Sequence, residues 1–411
     1  MTNWSGSMSD WTTGVVRDVA APKGLVGGPF GSALGSKDYV DDGVPVIRGV
    51  NLGSPGYFDS SEFVYVTEEK AYGELSRNLA QPGDVVFTQR GTLGQVGIVP
   101  EGGYEIYVIS QSQMRLRVDQ AKALPHFIYY QFRSPMMVET IRANAIATGV
   151  PHINLGILGS LPIVIPPLDE QRRIAALLGA LDGKIAVNDR IAATYEDIFQ
   201  AKFAALGTAE EGDCAITELV EFNPRTPRPD QNEAVYVDMA ALPTRQSSIR
   251  AWAHRPPKGG SRFQNGDTLL ARITPCLENG KTGFVDLLRK DEIGTGSTEF
   301  IVMRSRKGVP PEFSYFLARD GRFRKHAIRK MVGSSGRQRV SAADAAHFFV
   351  RRPDSGQLAA FGAEVGVAFR HMKSLMEESR VLGRLRDTLL PELMSGRLRV
   401  KDAEKVAEEA I

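Results

Sequence analysis

Cysteine is nearly absent: Cys214 and Cys276 are the only two in 411 residues, so no disulfide framework holds this chain and both thiols are expected to be reduced. No run of about 18 apolar residues occurs, which excludes a membrane-spanning helix. The opening MTNWSGSMSDW has no basic stretch followed by an apolar core, so no signal peptide is expected and the sequence places the protein in the cytoplasm. The histidines, His126, His152, His254, His326, His347 and His371, include no i, i+4 pair, and no Cys-x-x-Cys accompanies them, which argues against a metal site. Asn279-Gly280-Lys281-Thr282 looks like the end of a phosphate-binding loop, but Pro275 stands where its first glycine is required. Gly28, Gly31 and Gly35, like Gly91, Gly94 and Gly97, have the wrong spacing for a dinucleotide fingerprint. Asn223-Pro224-Arg225-Thr226 lacks the second proline and the aromatic ring of an amino-methyltransferase box and reads as a turn. Neither a nucleophile–histidine grouping nor a tight acidic cluster is visible. The missing element is a catalytic site.

What is present is written twice. Ile174, Leu178, Leu181, Ile185, Asn188, Ala192, Tyr195 and Phe199 step alternately by four and three, and adding 187 lands on Phe361, Val365, Ala368, Met372, Leu375, Ser379, Leu382 and Arg386. The second seam is poorer at Ser379 and Arg386 but continues through Leu389 and Leu393. Seams with a 3.5-residue repeat want a partner helix, because the stripe is too narrow to face a broad core. Two in one chain can satisfy each other. The first helix is expected over about 168–206, at most about 58 Å long if Gly179 and Gly183 do not bend it. Asn188, polar at a seam position, reads either as a register-fixing residue or as one tolerated near a fray.

The segments before each helix also correspond. QPGDVVFTQRGTLGQVGIV matches QNGDTLLARITPCLENGKTGFV at a shift of 183, with Val85 to Thr88 as a strand. YVISQSQMRLRV parallels GTGSTEFIVMRS, and GVPHINLGILGSLPIVIPP matches GSSGRQRVSAADAAHFFVRRP at 187. A helix predicted from about Pro125 to Ala147 has its counterpart in PPEFSYFLARDGRFRKHA. Strands interrupted by one helix make an α+β module, present twice.

Charge is distributed unevenly. Residues 245–352 hold 22 Lys+Arg against 9 Asp+Glu, while the whole chain is only +2. A basic block of that size suggests a polyanionic partner. Within it Arg319, Arg322, Arg324, Lys325, Arg329 and Lys330 cluster on a predicted helix and read as phosphate contacts.

IPPLDEQRRIAALLGALDGKI with the following YEDIFQAKF resembles the central conserved region of specificity subunits of type I restriction-modification systems, and RDTLLPELMSGRLRV resembles their distal one. The second copy departs from the pattern, with SGQLAAFG in place of the usual Glu-Gln-containing start. The resemblance implies two target recognition domains, 1–165 and 207–354, joined by two long antiparallel coiled-coil helices within 166–206 and 355–411. It further implies that each domain reads half of a bipartite, asymmetric site in double-stranded DNA, the helices setting the unread gap. Two methyltransferase subunits and a restriction subunit are the implied protein partners. They would carry S-adenosylmethionine, ATP and Mg2+ for adenine methylation or cleavage, with no cofactor on this chain, no membrane partner and no catalysis by it.

Major-groove readout needs hydrogen-bonding side chains presented from loops and element ends. The first module offers Ser36, Lys37, Arg48, Asn51, Gln89, Arg90, Thr92, Gln111, Gln113, His152 and Asn154; the second offers Arg245, Arg272, Thr274, Ser297, Thr298, Arg337, Gln338 and Arg339, with Arg324 as a backbone contact. Arg90 with Arg272, Gln111 with Thr298 and His152 with Arg339 are expected to be matched positions. Two other readings compete: a self-contained sequence-specific methyltransferase or nuclease fragment, and a coiled-coil protein without DNA contact.

Overall fold

A computed structural model describes residues 11–410 apart from 54–56, 61, 148, 209–211 and 335. Most of the amino-terminal segment read above as lacking a leader lies outside the described residues. Among the described residues no helix is long and apolar enough to cross a membrane. Both cysteines are free thiols, Cys214 buried and Cys276 half-buried. The chain divides into two compact units, one running to Ala186 and resuming at Arg380, the other Val187–Ser379. Both boundaries fall inside the long helices Leu168–Phe203 and Ser355–Met394, so each helix contributes part of itself to each unit.

The duplication extends to strand order. In the first unit one sheet runs Ala20–Gly27, Gln113–Val118, Val85–Thr88, Val96–Ile98, all antiparallel. A second runs Val64–Val66, Val44–Ile47, Tyr107–Ile109, Leu79–Ala80, with its central pair parallel. In the other unit the same positions are Val220–Phe222, Phe300–Ser305, Thr268–Ala271, Thr282–Phe284, and then Ala253–Arg255, Ala234–Val237, Gly294–Gly296, Ser261–Phe263, again with a parallel central pair. A short ladder closes each module onto the start of its own helix, Thr12–Val15 with Pro162–Ile165 and Cys214–Ala215 with Phe349–Val350.

The single helix expected over 125–147 is two, Pro125–Arg133 and Pro135–Ala143, and its counterpart is Pro311–Arg319 with Gly321–Arg329. Pro135 cannot follow a helical residue without clashing, so Ser134 is extended and its hydroxyl caps the next helix by accepting from Met137 N. Asp320 does the same work, accepting from the amides of Arg322 and Phe323. Beyond the second long helix, Val400–Ala410 forms a further helix whose Val400 and Ala403 enter the first unit's core.

The long helices are antiparallel where they pair inside the second unit, since Tyr195 meets His371 while the later Phe199 meets the earlier Phe361. Of the seam residues, Ile174, Leu178, Leu181 and Ile185 share the first unit's core with Leu382, Leu389, Phe127 and Tyr130. Phe199, Phe361, Val365 and Met372 share the second's with Phe313 and Phe316, while Tyr195 is partly buried against it. The stripe is therefore not too narrow for a core, as its periodicity suggested. Leu177 also packs against the first core, and Gly179 lets Tyr57 approach so closely that an added Cβ would sit 2.7 Å from its hydroxyl. Gln171 anchors the first helix: its amide donates to Pro166 O at 2.8 Å and its carbonyl accepts from Leu124 N at 2.9 Å. Leu358 stands at the matching place in the second copy and packs into that core, which explains the departure at SGQLAAFG.

Asn188 lies opposite Leu375, the residue that replaces it 187 positions later. Its amide donates to Glu378 Oε2 at 2.7 Å and Ser379 Oγ at 3.2 Å, while its own Oδ1 is buried without a partner. Asn188→Leu combined with Ser379→Ala should therefore raise the stability of the second unit by about 1 kcal/mol, because it removes the buried unsatisfied acceptor without leaving the Ser379 hydroxyl unpaired. Urea unfolding of the two proteins measures it; a loss of stability would show that the Asn188 donor bonds outweigh the orphaned acceptor.

Candidate nucleic-acid interface

Three segments converge on one edge of each unit. In the first, Gln89 N donates to Ser112 O, Ile153 N donates to Gln89 O, and Arg90 bridges His152. In the second, Arg272 N donates to Glu299 O, Val340 N donates to Arg272 O, and Ile273 bridges Arg339. Gln89 therefore corresponds to Arg272 and Arg90 to Ile273. The expected match of Arg90 with Arg272 was one residue out of register; the bridges keep His152 with Arg339 and Ser112 with Glu299, which places Gln111 with Thr298.

At this edge Arg90, Thr92 and Gln111 are exposed and His152 and Gln89 half-exposed. Both donors of Gln111 are engaged, since Nε2 bonds Gly31 O and Leu34 O at 2.6 Å each and ties the 28–35 loop to the edge. Ser36 and Lys37 are exposed just beyond that loop. His152 Nδ1 bonds Val150 O, and Asn154 caps the helix Leu155–Ser160 by accepting from Ile157 N. Two candidates are removed by burial. Asn51 is 0% exposed, accepting from Arg48 N and donating to Asp59 O, and Gln113 is 1% exposed, accepting from the Ser110 hydroxyl. Arg48 donates to Glu62 O.

In the second unit Thr298 and Arg337 are exposed, and Arg272, Thr274, Ser297, Gln338 and Arg339 half-exposed. Thr274 and Gln338 hold each other through backbone and hydroxyl bonds. Arg339 grips Glu299 through Nε at 2.9 Å and Nη2 at 2.8 Å. Arg245 is exposed on a separate loop. The basic cluster is split by Asp320. Arg322, Lys325, Arg329 and Lys330 line a groove of about 560 Å3 with His326, His347 and Phe348. Arg324 points elsewhere: it is half-buried, donates to Glu278 O at 2.9 Å, and burial lowers its pKa. It braces the 275–280 turn, where a phosphate contact was expected.

Two edge residues escaped the sequence reading. Glu299 is an acid inside the basic block, and its position in the repeat, 187 residues after Ser112, was the available signal. Phe30 is 90% exposed on the loop that Gln111 holds, and the flanking glycines in GGPFG marked it. Among the described residues no three His, Cys, Asp or Glu side chains come together as a metal site would require.

Residues 35–196 match the type I restriction modification DNA specificity domain. Over 133 residues the chain is 32% identical to the Escherichia coli type I restriction enzyme EcoAI specificity subunit, a match covering 30% of this chain and 22% of that protein. Over 176 residues it is 23% identical to the Methanocaldococcus jannaschii MjaIX specificity subunit, covering 43% and 39%. The chain thus spans well under half the length of these relatives in the matched regions. The crystal structure of the type I restriction-modification system S subunit from M. genitalium superimposes over 94% of this chain and 97% of that one, with a TM-score of 0.53 at 16% identity. The chain carries a type I restriction modification DNA specificity domain and has the fold of a specificity subunit, the family its two helical segments resemble.

Proposed function

We propose that this chain is the non-catalytic specificity subunit of a type I restriction-modification complex, reading an asymmetric bipartite duplex site and directing adenine methylation or cleavage by partner subunits. One observation carries the reading: the same three-segment edge is built twice, on the same strand order, with different side chains. A shared scaffold with unlike readers is what two unlike half-sites demand, because each base pair shows its own donor and acceptor pattern in the major groove. Domains 1–165 and 207–354 are the proposed recognition modules and the paired helices the proposed spacer. Two methyltransferase subunits and a restriction subunit are the proposed protein partners, supplying S-adenosylmethionine, ATP and Mg2+ in the cytoplasm.

Selection of bound duplexes from a randomised pool by the full chain tests this. Two half-motifs at a constant gap are expected, and Arg90→Ala should blur only one of them. A contiguous motif, or none, would sink the proposal.

A further inference from the structure

The duplication supplies an internal control. Whatever both edges share is needed to build the edge; whatever only one has is available for another purpose. The first unit makes its three-segment edge with Gln89, Ser112 and His152, and the second makes the same backbone bonds with Arg272, Glu299 and Arg339. The charged group is therefore not required for folding of the edge. Nor is it hidden, as the side chains of Arg339 and Glu299 are 42% and 26% exposed.

The geometry of the pair leaves a specific set of donors. Glu299 occupies the Nε–H and one Nη2–H of Arg339, the side-on face of the guanidinium. The end-on fork of Nη1 and Nη2 remains, steadied by an Nη1 bond to Arg337 O at 3.2 Å. Such a fork matches the O6 and N7 acceptors of guanine, and a carboxylate is the acceptor for the cytosine amino group. Arg339 holds the Glu299 carboxyl below its usual range, and Arg272 adds to this from its own side, so the acid is an acceptor at neutral pH.

We propose that Arg339 and Glu299, with Arg272 beside them, form a reader for a G·C base pair in the half-site bound by the second unit. This rests on the function proposed above and deepens it, giving that half-site a base composition. The matching place in the first unit, with His152 and Ser112, has neither the fork nor the acid and imposes no such requirement.

The test is duplex selection by the full chain and by Arg339→Ala and Glu299→Gln, followed by binding to the enriched duplex with 7-deazaguanine, which lacks the N7 acceptor. For R339A, one G·C position should become degenerate while the other half-motif stays intact, with cognate affinity falling about ten- to a hundredfold and random-sequence affinity unchanged. E299Q should weaken preference at the same position. The 7-deazaguanine duplex should bind the wild type more weakly, yet R339A no differently from its normal counterpart. The inference fails if the blurred position is A·T, or if R339A weakens cognate and random DNA alike, as a backbone contact would. Absence of any bipartite motif with the wild type would instead overturn the proposed function itself.

Discussion

Asp84→Ala should destabilise the first unit by about 3 kcal/mol, and Asp267→Ala the second unit by about 3–5 kcal/mol, as expected when one partner of a buried ion pair is removed. Asp84 is 1% exposed and receives Arg117 in bidentate fashion, through Nε and Nη2 at 2.8 Å each. Arg115, itself buried, approaches at 3.5 Å, and Gln81 N donates to the same carboxylate at 2.9 Å. Asp267 repeats the arrangement with Arg304 at 2.6 and 2.7 Å and Gln264 N at 2.9 Å. Truncation takes the carboxylate from Arg117 and Arg115 in the first unit and from Arg304 in the second, and orphans a backbone amide in each. The smaller figure belongs to Asp84 because the Arg117 side chain is 37% exposed, so that water can take up part of its charge, and the more distant Arg115 keeps its bond to Lys23 O. Urea unfolding gives the magnitude. Hydrogen exchange gives the place, with lost protection expected in Gln113–Val118 for one variant and Phe300–Ser305 for the other. A cost below about 1 kcal/mol would mean that both guanidiniums find other partners or solvent.

That ion pair shows how far the sequence could be read. Gly83-Asp84 and Gly266-Asp267 were legible as matched turns into strands, because a turn signal is local. Their arginine partners were not, since Arg117 and Arg304 meet the acids only once the strands pair in register. The duplication, the long helices and the α+β class were all visible, because each depends on repeated pattern over tens of residues. Asn51 and Gln113 look like readers by residue type, yet the fold consumes them as internal bonds, and nothing in their immediate neighbours announces it. The register error at Arg90 lies within one segment: its own shift of 183 carries Gln89 to Arg272 and Arg90 to Ile273, and the bridges to His152 and Arg339 agree with that value. Polar interruptions in the second seam had a reason the heptad could not supply. Ser379 meets Asn188, and Arg386 meets Asp182.

The last of these pairs carries the other large effect. Asp182 is 1% exposed inside the first unit and accepts from Tyr130 Oη at 2.8 Å, Arg133 Nη1 at 3.2 Å and Arg386 Nη1 at 2.5 Å. Burial, and then the Asp182 charge, push the Tyr130 phenol far up, so it stays a donor at any accessible pH. Asp182→Ala leaves Arg386, whose side chain is 12% exposed, without its buried partner and should cost about 3–5 kcal/mol. Arg386→Met should cost less, because Asp182 keeps Tyr130 and Arg133. With Asp182→Asn and Arg386→Met combined, both charges leave while the Tyr130 acceptor remains, so the double variant should recover at least about 1 kcal/mol relative to the sum of Asp182→Asn and Arg386→Met measured singly. Additive losses in that cycle would mean that Asp182 and Arg386 act independently, and that the apolar seam alone holds Leu178 and Leu181 against Leu382 and Leu389.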